Sequence, residues 1–362
     1  MAVQDHRQAQ KGRGAVSNPE GRFETQQCEP VDDGWLTQAQ ETPRLPTRLH
    51  VDAARSIIAR NDSPDIAFTQ SINPYRGCEH GCIYCYARPS HGYLNLSAGL
   101  DFETELFYKP QAAALLEAEL RKSSYRCAPI ELGSNTDPYQ PVERELGITR
   151  SLLELMLRFR QPARVTTKGA ALLARDLDLL AALARQRLLS VAVSITTLDA
   201  QLKRTLEPRA ASPQARLRAM RLLHEAGVPV MVNFSPVIPF VNDAEMEAVL
   251  EAARQAGAQQ ASYIPLRLPY EVKDLFRQWL DVHLPQKAAH VMSLVQQMRG
   301  GRDNDPRFGS RMRGEGEYAE VLRQRFALAC RRLGLDTGAR ISLDCSRFAP
   351  PPQSGEQMGL DF

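Results

Sequence analysis

Between about residues 65 and 285 the sequence alternates six times between a short apolar run and an amphipathic stretch. The apolar runs are nearly continuous in Val, Ile and Leu, which is typical of parallel strands buried on both faces. The stretches between them have the periodicity of helices that pack on a sheet. This alternation predicts an α/β protein whose parallel sheet is covered by helices. Six such units form either a partial TIM-like (βα)6 barrel or an open doubly wound sheet, and periodicity does not distinguish the two.

The six units follow one another with short connections, and each pairs a predicted strand with a predicted helix. In chain order they are 66–75 with 111–122, 129–135 with 149–159, 163–169 with 172–186, 188–196 with 213–227, 229–239 with 243–257, and 260–268 with 271–284.

The segments that flank these units have a different composition. Residues 1–47 are polar and rich in Gln, Gly and Pro, so we predict a mostly disordered segment there. The barrel is then predicted to span residues 48–270, followed by a helical, basic extension over residues 271–345. Residues 346–362 form a Pro-rich tail that we expect to be flexible.

The net charge of the 362-residue chain is only +3, so no strong field indicates a nucleic-acid or membrane partner. Seven cysteines, an odd number with three crowded together, do not resemble a disulfide framework and favour a reducing compartment. The sequence has neither the apolar core of a signal peptide nor an apolar run long enough to span a membrane. We therefore expect a cytoplasmic protein without a membrane partner.

Three cysteines, Cys78, Cys82 and Cys85, lie within eight residues in the stretch YRGCEHGCIYCYARPSH. A structural zinc site needs four ligands, so this group would have to recruit one more. The candidates for a fourth ligand are His80, Cys127, Cys330 and Cys345. Alternatively, three thiolates hold a 4Fe–4S cluster whose fourth iron stays open to bind a ligand. The thiols follow the first predicted strand, where parallel α/β folds place their chemistry, and this position favours the catalytic alternative.

The C-x3-C-x2-C spacing, with an aromatic residue before the last cysteine, resembles the signature of the radical S-adenosylmethionine (SAM) enzymes. The resemblance implies a partial (βα)6 barrel in which Cys78, Cys82 and Cys85 bind three irons of a 4Fe–4S cluster and SAM chelates the fourth. It also implies that SAM is cleaved reductively to a 5′-deoxyadenosyl radical, which abstracts a hydrogen atom from the substrate. Tyr84 would lie near the adenine, and a flavodoxin-type reductase would supply the electron.

Further stretches resemble the spore photoproduct lyase-like branch, whose members are described as DNA repair photolyase-like. They are ELGSNTDPYQPVE, TTKG, VSITT, LEPRAASPQARLRAMRLLHEAGVPV and FSPVIPFVND, in that order along the chain. The resemblance implies SAM contacts from Lys168 and Ser194, and further contacts from Ser134 and Asn135. Glu207 would bind the ribose hydroxyls or pair with Arg209. Each of these polar residues could instead cap a helix or stabilise a turn.

The matching stretch IELGSNTD lacks one cysteine of the lyase pattern. The lyase uses a cysteine at the end of its second strand to return a hydrogen atom to the thymine radical. Cys127 lies at the beginning of that predicted strand and is therefore expected toward its opposite end. Tyr139 or Tyr263 could act as the donor. The reaction could also differ from spore photoproduct cleavage, with another DNA, an RNA or a small molecule as substrate.

Two C-terminal features bear on nucleic acid as a partner. The segment 299–313 contains five arginines and Phe308, a composition that could contact phosphates and stack on a base, or form a solvated basic loop. The final residues, QMGLDF, resemble the peptide that bacterial repair proteins insert into the sliding clamp. In that interpretation Gln357 hydrogen-bonds, and Leu360 and Phe362 are the apolar anchors.

The sequence therefore predicts a radical SAM enzyme that acts on nucleic acid and has a lyase-like role in DNA repair. Two alternatives stay open. The same cofactors could act on a small molecule, a peptide or tRNA. The cysteines could instead form a zinc-binding module without enzymatic activity, with His80 or Cys345 as the fourth ligand.

Overall fold

The structure is a computed structural model that describes residues 9–23, 45–338 and 341–352. Its strands are β1 (Arg48–Val51), β2 (Ile58–Arg60), β3 (Gln70–Ile72), β4 (Tyr75–Arg76), β5 (Glu105–Tyr108), β6 (Ile130–Leu132), β7 (Ala163–Thr167), β8 (Leu189–Ser194), β9 (Val230–Val237) and β10 (Gln260–Pro265).

The α-helices are α1 (Asp101–Thr104), α2 (Ala112–Leu120), α3 (Glu143–Leu146), α4 (Ile148–Phe159), α5 (Ala171–Arg175), α6 (Leu177–Arg185), α7 (Ala200–Leu206), α8 (Pro213–Glu225), α9 (Met246–Gln255), α10 (Val272–His283), α11 (Ala288–Gln297), α12 (Ser310–Arg313) and α13 (Gly316–Leu333). Three short 3-10 helices span Arg88–Leu94, Asp243–Glu245 and Cys345–Arg347.

The main sheet has the strand order β10-β9-β8-β7-β6-β3-β2. All neighbouring pairs are parallel except β2 with β3, which is antiparallel. The six parallel strands follow chain order from one edge to the other, without the reversal that defines a doubly wound sheet. This order decides between the two predicted architectures and confirms the partial (βα)6 barrel.

The two faces of the parallel strands differ in polarity. On one face, residues such as Val165, Val191 and Val232 have no exposed surface and join the surrounding helices in one core. Because successive side chains of a strand point to opposite faces, the other face carries the intervening residues. Those include Glu131, Thr166, Ser194, Asn233 and Ser262. The interior of the partial barrel is therefore polar.

The first predicted strand, 66–75, is divided in the structure. Only β3 joins the main sheet, whereas β4 pairs with β5 in a separate three-stranded sheet. Between them lie Asn73, whose side chain turns to accept a hydrogen bond from the backbone of Asn135 at 2.9 Å, and Pro74, which has no N–H to donate to a ladder. The predicted helix 172–186 likewise divides into α5 and α6 at the buried Asp176.

Part of the segment predicted to be disordered has a defined position. Residues 9–23, which we call the N-terminal arm, include four consecutive buried residues, 13–16. Arg13 donates to the backbone oxygen of Glu103 at 2.7 Å, so the arm is packed against α1. Residues 353–362, with the predicted clamp-binding residues Gln357, Leu360 and Phe362, lie outside the described residues. The domain boundaries stay predictions.

The described C-terminal residues 341–352 cross the end of the barrel opposite the cysteine loop. The backbone nitrogen of Ala349 donates to the oxygen of Phe159 at 3.1 Å, and Phe348 packs on Tyr125. In the described ranges, no helix is both long enough and apolar enough to cross a membrane.

Candidate active site

The three cysteines of the C-x3-C-x2-C motif lie in the loop between β4 and the first 3-10 helix. Cys78 and Cys82 are buried and Cys85 is half-buried. The loop turns at Gly81, whose φ of +64° is a left-handed conformation that favours glycine. A Cβ atom there would lie 2.7 Å from a carboxylate oxygen of Glu103. Glycine is therefore required for the loop to approach α1 this closely.

Arg88 supports the cysteine loop from behind. Its side chain has no exposed surface, and its Nε donates to the backbone oxygen of Cys82 at 2.9 Å. One terminal nitrogen donates to the oxygen of Gly99 at 2.8 Å, and the other pairs with Glu103. Glu103 also accepts the backbone N–H of Gly14, at 2.9 Å. A buried, satisfied network of this kind fixes one conformation of the loop. The sequence interpretation missed both ionic residues.

Asp137 connects the cysteine loop to the ends of β6 and β7. Its carboxylate accepts the hydroxyl of Thr167 at 2.6 Å and the backbone N–H of Lys168 at 2.7 Å, and it lies 3.2 Å from Nδ1 of His80. Burial opposes ionisation, but His80 and these donors outweigh it and lower the pKa of Asp137 to about 2. His80 thereby connects the cysteine loop to the ends of β6 and β7 through its Nδ1.

Glu207 is the centre of a second buried network. Its carboxylate accepts hydrogen bonds from Tyr84, from Thr196 at 2.6 Å and from Arg216, with which it forms an ion pair. Burial raises the energy of the charged form, yet Arg216 and the other partners lower the pKa of Glu207 to about 2. The network therefore holds Tyr84, which lies between two of the cysteines, in one orientation.

The predicted pair of Glu207 with Arg209 is wrong. Arg209 pairs instead with Glu79, at 2.7 Å, and Glu79 also accepts the hydroxyl of Thr47 at 2.6 Å. The reason is that Glu207 is fully buried and satisfied by Arg216, whereas Arg209 lies at the surface of the loop. Arg209 thus stabilises the cysteine loop from outside.

Lys168 and Ser194 lie where the sequence predicts them, at the carboxyl ends of β7 and β8. The ammonium nitrogen of Lys168 is 5.8 Å from the ring centroid of Tyr84. Burial opposes the charge, but Cys82 and Glu207 raise the pKa of Lys168. A cation therefore stands beside the cysteine loop. The SAM contacts of both residues stay predictions.

Ser134 and Asn135 follow β6 at the same edge of the sheet. The hydroxyl of Ser134 lies 3.0 Å from the amide nitrogen of Asn73, and Asn135 is exposed. This contact, and the bond from the backbone nitrogen of Asn135 to the side-chain oxygen of Asn73, match the alternative in which the two residues stabilise a turn. Their contact with SAM also stays a prediction.

The two tyrosines suggested as hydrogen donors lie outside the barrel interior. Tyr139 is buried in the core between sheet and helices, and Tyr263 packs on Phe326 of α13 at 4.6 Å. Neither can reach a substrate inside the barrel, so this prediction is wrong. Cys127 lies at the opposite end from the cysteine loop, as predicted, with its thiol 3.6 Å from the side chain of Gln161.

Tyr86, which the sequence interpretation did not select, lies at the mouth of the barrel. It follows Cys85 directly, its ring is 49% exposed, and its hydroxyl donates to the backbone oxygen of Ser134. Burial of the hydroxyl and the neighbouring Cys85 raise the pKa of Tyr86 to about 12. The sequence feature that could have indicated a functional role for Tyr86 is its position directly after the last cysteine of the motif.

The five arginines of the segment 299–313 do not form one free basic surface. Arg299 is buried and donates to four backbone oxygens. Arg307 and Arg311 form ion pairs with neighbouring aspartates, at 2.9 and 2.6 Å. Arg302 and Arg313 are exposed and form no ion pair with any residue in the described ranges. For these two, phosphate contact stays a prediction.

Comparison with known proteins identifies the family. The model of the radical SAM superfamily matches residues 72–253, which include the cysteine loop, Lys168, Ser194 and Glu207. The chain belongs to the radical SAM superfamily. An uncharacterised protein of Mycobacterium tuberculosis strain H37Rv is 34% identical over 312 residues, covering 82% of this chain and 87% of the relative. An uncharacterised protein of Methanocaldococcus jannaschii is 29% identical over 174 residues, covering 48% of this chain and 62% of that relative.

Solved structures of spore photoproduct lyase have a similar fold. A variant of that enzyme superposes with a TM-score of 0.58 at 17% identity, covering 79% of this chain and 80% of the lyase. The lyase complexed with dinucleoside spore photoproduct gives a TM-score of 0.58 at 15% identity, with the same coverage. At these identities the likeness concerns the fold, and it agrees with the strand order described above.

Radical SAM enzymes use a 4Fe–4S cluster and SAM, and the cysteine loop fits that cofactor. Without a metal, burial raises the pKa of Cys82 to about 12 and that of Cys78 well above its ordinary value. Such thiols become thiolates only when a cation compensates their charge, which cluster iron does. Lys168 adds a positive charge beside Cys82. The loop is therefore suited to iron ligation.

The alternative of a non-enzymatic zinc module is wrong, because the chain belongs to a family of enzymes that use a 4Fe–4S cluster. Of the candidate fourth ligands, Cys345 contacts Cys127, which lies at the end of the barrel opposite the cysteine loop.

Proposed function

We propose that this radical SAM enzyme acts on nucleic acid, with the reacting nucleotide held against the polar interior of the barrel. The observation that carries the proposal is the combination of this interior with the fold of spore photoproduct lyase, which is known in complex with a dinucleoside photoproduct. The apolar residues of the strands face the helices, so the interior presents Glu131, Thr166, Asn233 and Ser262 to a ligand. Amide, hydroxyl and carboxylate groups suit the edges of a nucleobase.

In this proposal Cys78, Cys82 and Cys85 hold the cluster and leave one iron open for SAM. Lys168 supplies a cation for the SAM carboxylate, because its ammonium group already lies beside the cysteine loop. Ser194 reaches the ribose from the end of β8. When bound, the cluster and SAM together supply a 5′-deoxyadenosyl radical for hydrogen abstraction.

The other residues around the cysteine loop are proposed to contact SAM or to support the residues that do. Ser134 and Asn135 offer polar groups to the amino group of SAM at the end of β6. Tyr84 provides an aromatic wall near the adenine, and Glu207 holds Tyr84 through the hydroxyl bond described above. Arg209 supports the loop through Glu79 and does not touch the cofactor.

The return of the hydrogen atom is proposed to differ from that in the lyase. The stretch IELGSNTD at the end of β6 contains no cysteine, and Cys127 lies at the far end of the barrel. We therefore expect a DNA or RNA substrate other than spore photoproduct, or a different route for the returning hydrogen. A role in DNA repair, a cytoplasmic location, a flavodoxin-type electron donor, and a sliding-clamp contact through Gln357, Leu360 and Phe362 belong to the same proposal.

The test is anaerobic reconstitution of the full chain followed by assay of 5′-deoxyadenosine. Single-stranded DNA, duplex DNA, RNA and a metabolite extract are each added with SAM and a reductant. Stimulation by a nucleic acid, with a modified nucleotide as product, is the expected result. Stimulation only by the metabolite extract would instead support the small-molecule alternative.

The ligand assignment is tested by measuring iron and sulfide in two cysteine variants. Cys78→Ala is expected to lose most of the iron, because one of three thiolates is removed. Cys127→Ala is the matched control, since its thiol is remote from the loop, and it should retain iron and sulfide like the wild type. Equal iron content in the two variants would contradict the assignment.

A further inference from the structure

Arg267 lies two residues after β10, at the mouth of the barrel. Its Nε is buried and has no acceptor among the described residues. One terminal nitrogen lies 3.2 Å from the sulfur of Met312, which is a weak acceptor. In the described part of the chain no carboxylate forms an ion pair with this guanidinium, so its charge lacks an anionic partner in hydrogen-bond contact.

Three fully buried arginines of the described residues are compensated by carboxylates or by backbone oxygens. Arg88 pairs with Glu103, Arg216 pairs with Glu207, and Arg299 donates to four backbone oxygens. A buried cation without an anion costs stability. Arg267, which is half-buried, has neither a carboxylate nor a backbone oxygen as hydrogen-bond partner among the described residues, so its charge is compensated less than at these three positions.

The surroundings of Arg267 increase that cost. Burial lowers the pKa of Arg267, and so does the charge of the nearby Arg311. Arg311 itself is neutralised by Asp65, which lies 2.6 Å from it. The local excess of positive charge is thus centred on Arg267, and a bound anion would remove it.

The position of Arg267 connects it with the reaction site. Its guanidinium carbon lies 5.9 Å from the ring centroid of Tyr86. Tyr86 directly follows Cys85, and its hydroxyl donates to the backbone oxygen of Ser134 beyond β6. β6 and β10 are separated by three strands of the sheet, so Tyr86 spans the mouth with Arg267 at its far side.

We infer that Arg267 binds a phosphodiester of the substrate and so positions the reacting nucleotide below Tyr86. The inference rests on the proposed function and names the group that the enzyme would hold at its mouth. The two terminal nitrogens of a guanidinium carry donors that match two oxygens of one phosphate, and the described contact of Arg267 is with a weak sulfur acceptor. The half-exposed ring of Tyr86 next to it offers a stacking surface for the attached base.

The experiment uses the reconstituted full chain and a labelled single-stranded oligodeoxythymidylate as probe. Binding is measured by fluorescence anisotropy between about 50 and 200 mM salt for the wild type, Arg267→Gln, Arg267→Lys and Arg302→Gln. Arg302→Gln is the comparison variant, because it removes one exposed charge of the basic segment and so measures what a surface phosphate contact contributes. A second probe of the same length carries uncharged methylphosphonate linkages.

Arg267→Gln is expected to weaken binding about tenfold, and Arg302→Gln about twofold at most, because an exposed phosphate contact is screened by salt. Arg267→Lys should be intermediate, since it keeps the charge and loses the second donor. On the methylphosphonate probe the wild type and Arg267→Gln should bind alike. Iron content and SAM binding should not change in any variant.

Thermal unfolding separates this role from a structural one. Because the half-buried Arg267 cation has no ion pair with a carboxylate among the described residues, Arg267→Gln should unfold at the same or a higher temperature than the wild type. Tight binding by Arg267→Gln, equal to that of Arg302→Gln, overturns the inference while leaving the proposed function in place. If the wild type binds no oligonucleotide at all, the proposed function fails and the inference fails with it.

Discussion

Gly14 of the N-terminal arm lies directly against Gly81 of the cysteine loop, so that a Cβ atom on Gly14 would stand 1.8 Å from the backbone oxygen of Gly81. The arm is held in this place by Glu103, whose carboxylate accepts the backbone N–H groups of Gly14 and Ala15, each at 2.9 Å. The arm is therefore part of the wall behind the three cysteines, although it lies far from them in the sequence.

Gly14→Ala is expected to destabilise the protein by about 1–3 kcal/mol, because the methyl group overlaps a backbone oxygen that cannot move without the loop. Iron and sulfide per chain after reconstitution should fall with the loss of loop order. Gly92→Ala is the control, since the nearest atom to its Cβ belongs to Phe23 at 3.6 Å, an ordinary contact. If Gly14→Ala had the same iron and sulfide content and the same unfolding temperature as the wild type, the arm would not shape the loop.

Arg216→Leu is expected to lower the free energy of unfolding by about 3–5 kcal/mol, because it leaves the Glu207 carboxylate buried without its cation. Arg187→Leu is the control. Its side chain is 78% exposed in an ion pair with Asp344, and such pairs contribute about 0–1 kcal/mol. Chemical denaturation of both variants measures the difference. Equal losses in the two variants would mean that burial of the Glu207 pair has no energetic consequence.

The pH dependence of stability should contain a contribution from Glu207. Its pKa is about 2 in the folded chain against an ordinary value of 4.5, so the folded state favours the charged form. The resulting stabilisation is fully present above about pH 4.5 and is lost as the pH falls toward 2, with a magnitude on the order of 3 kcal/mol. Between about pH 6 and 3 the free energy of unfolding of the metal-free chain should therefore fall more steeply for the wild type than for Glu207→Gln. Parallel curves would contradict this.

The elements that the sequence predicts well are those with long apolar runs. The predicted strands 163–169, 188–196 and 229–239 contain β7, β8 and β9, because continuous Val, Ile and Leu leave few alternatives to a buried parallel strand. The first strand was predicted too long, since the break at Asn73 and Pro74 depends on a side chain that reaches the end of β6. The pattern of apolar residues within one strand carries no information about a contact between Asn73 and the residues that follow β6.

The same distinction applies to the site. The cysteine motif is local, so it was predicted from spacing alone. The networks around Asp137 and Glu207 are not local, because their partners His80 and Tyr84 come from the cysteine loop. The sequence therefore predicts that Glu207 pairs with Arg209, a cation only two residues away in the chain. In the fold, the cation that is buried beside Glu207 is Arg216.

Lys168→Gln is expected to keep its iron and sulfide and to lose affinity for SAM by about tenfold or more, since a charge-assisted hydrogen bond to a carboxylate is removed. Lys203→Gln is the control, because the ammonium group of Lys203 donates to the backbone oxygen of Pro208 at 3.1 Å and so has a structural contact. Equilibrium binding of SAM to both reconstituted variants measures the effect. Unchanged SAM affinity in Lys168→Gln would exclude Lys168 as the residue that binds the carboxylate.

Arg299→Met is expected to destabilise the protein by about 2–4 kcal/mol without any direct effect on nucleic-acid binding. The guanidinium donates to the backbone oxygens of Pro265 and Leu266 at 3.2 and 2.7 Å, and its loss leaves these buried oxygens unsatisfied. Arg302→Met, at an exposed position of the same segment, should change stability by about 0.5 kcal/mol at most.

Urea denaturation of the two variants gives the stabilities, and oligonucleotide binding well below the unfolding temperature gives the direct effect. If Arg299 were a phosphate contact, as a basic segment read from sequence suggests, Arg299→Met would bind nucleic acid poorly while unfolding like the wild type. A buried structural arginine gives the reverse result, with reduced stability and with binding retained for as long as the variant is folded. The two measurements together therefore distinguish an arginine that holds the end of β10 in place from one that meets a ligand.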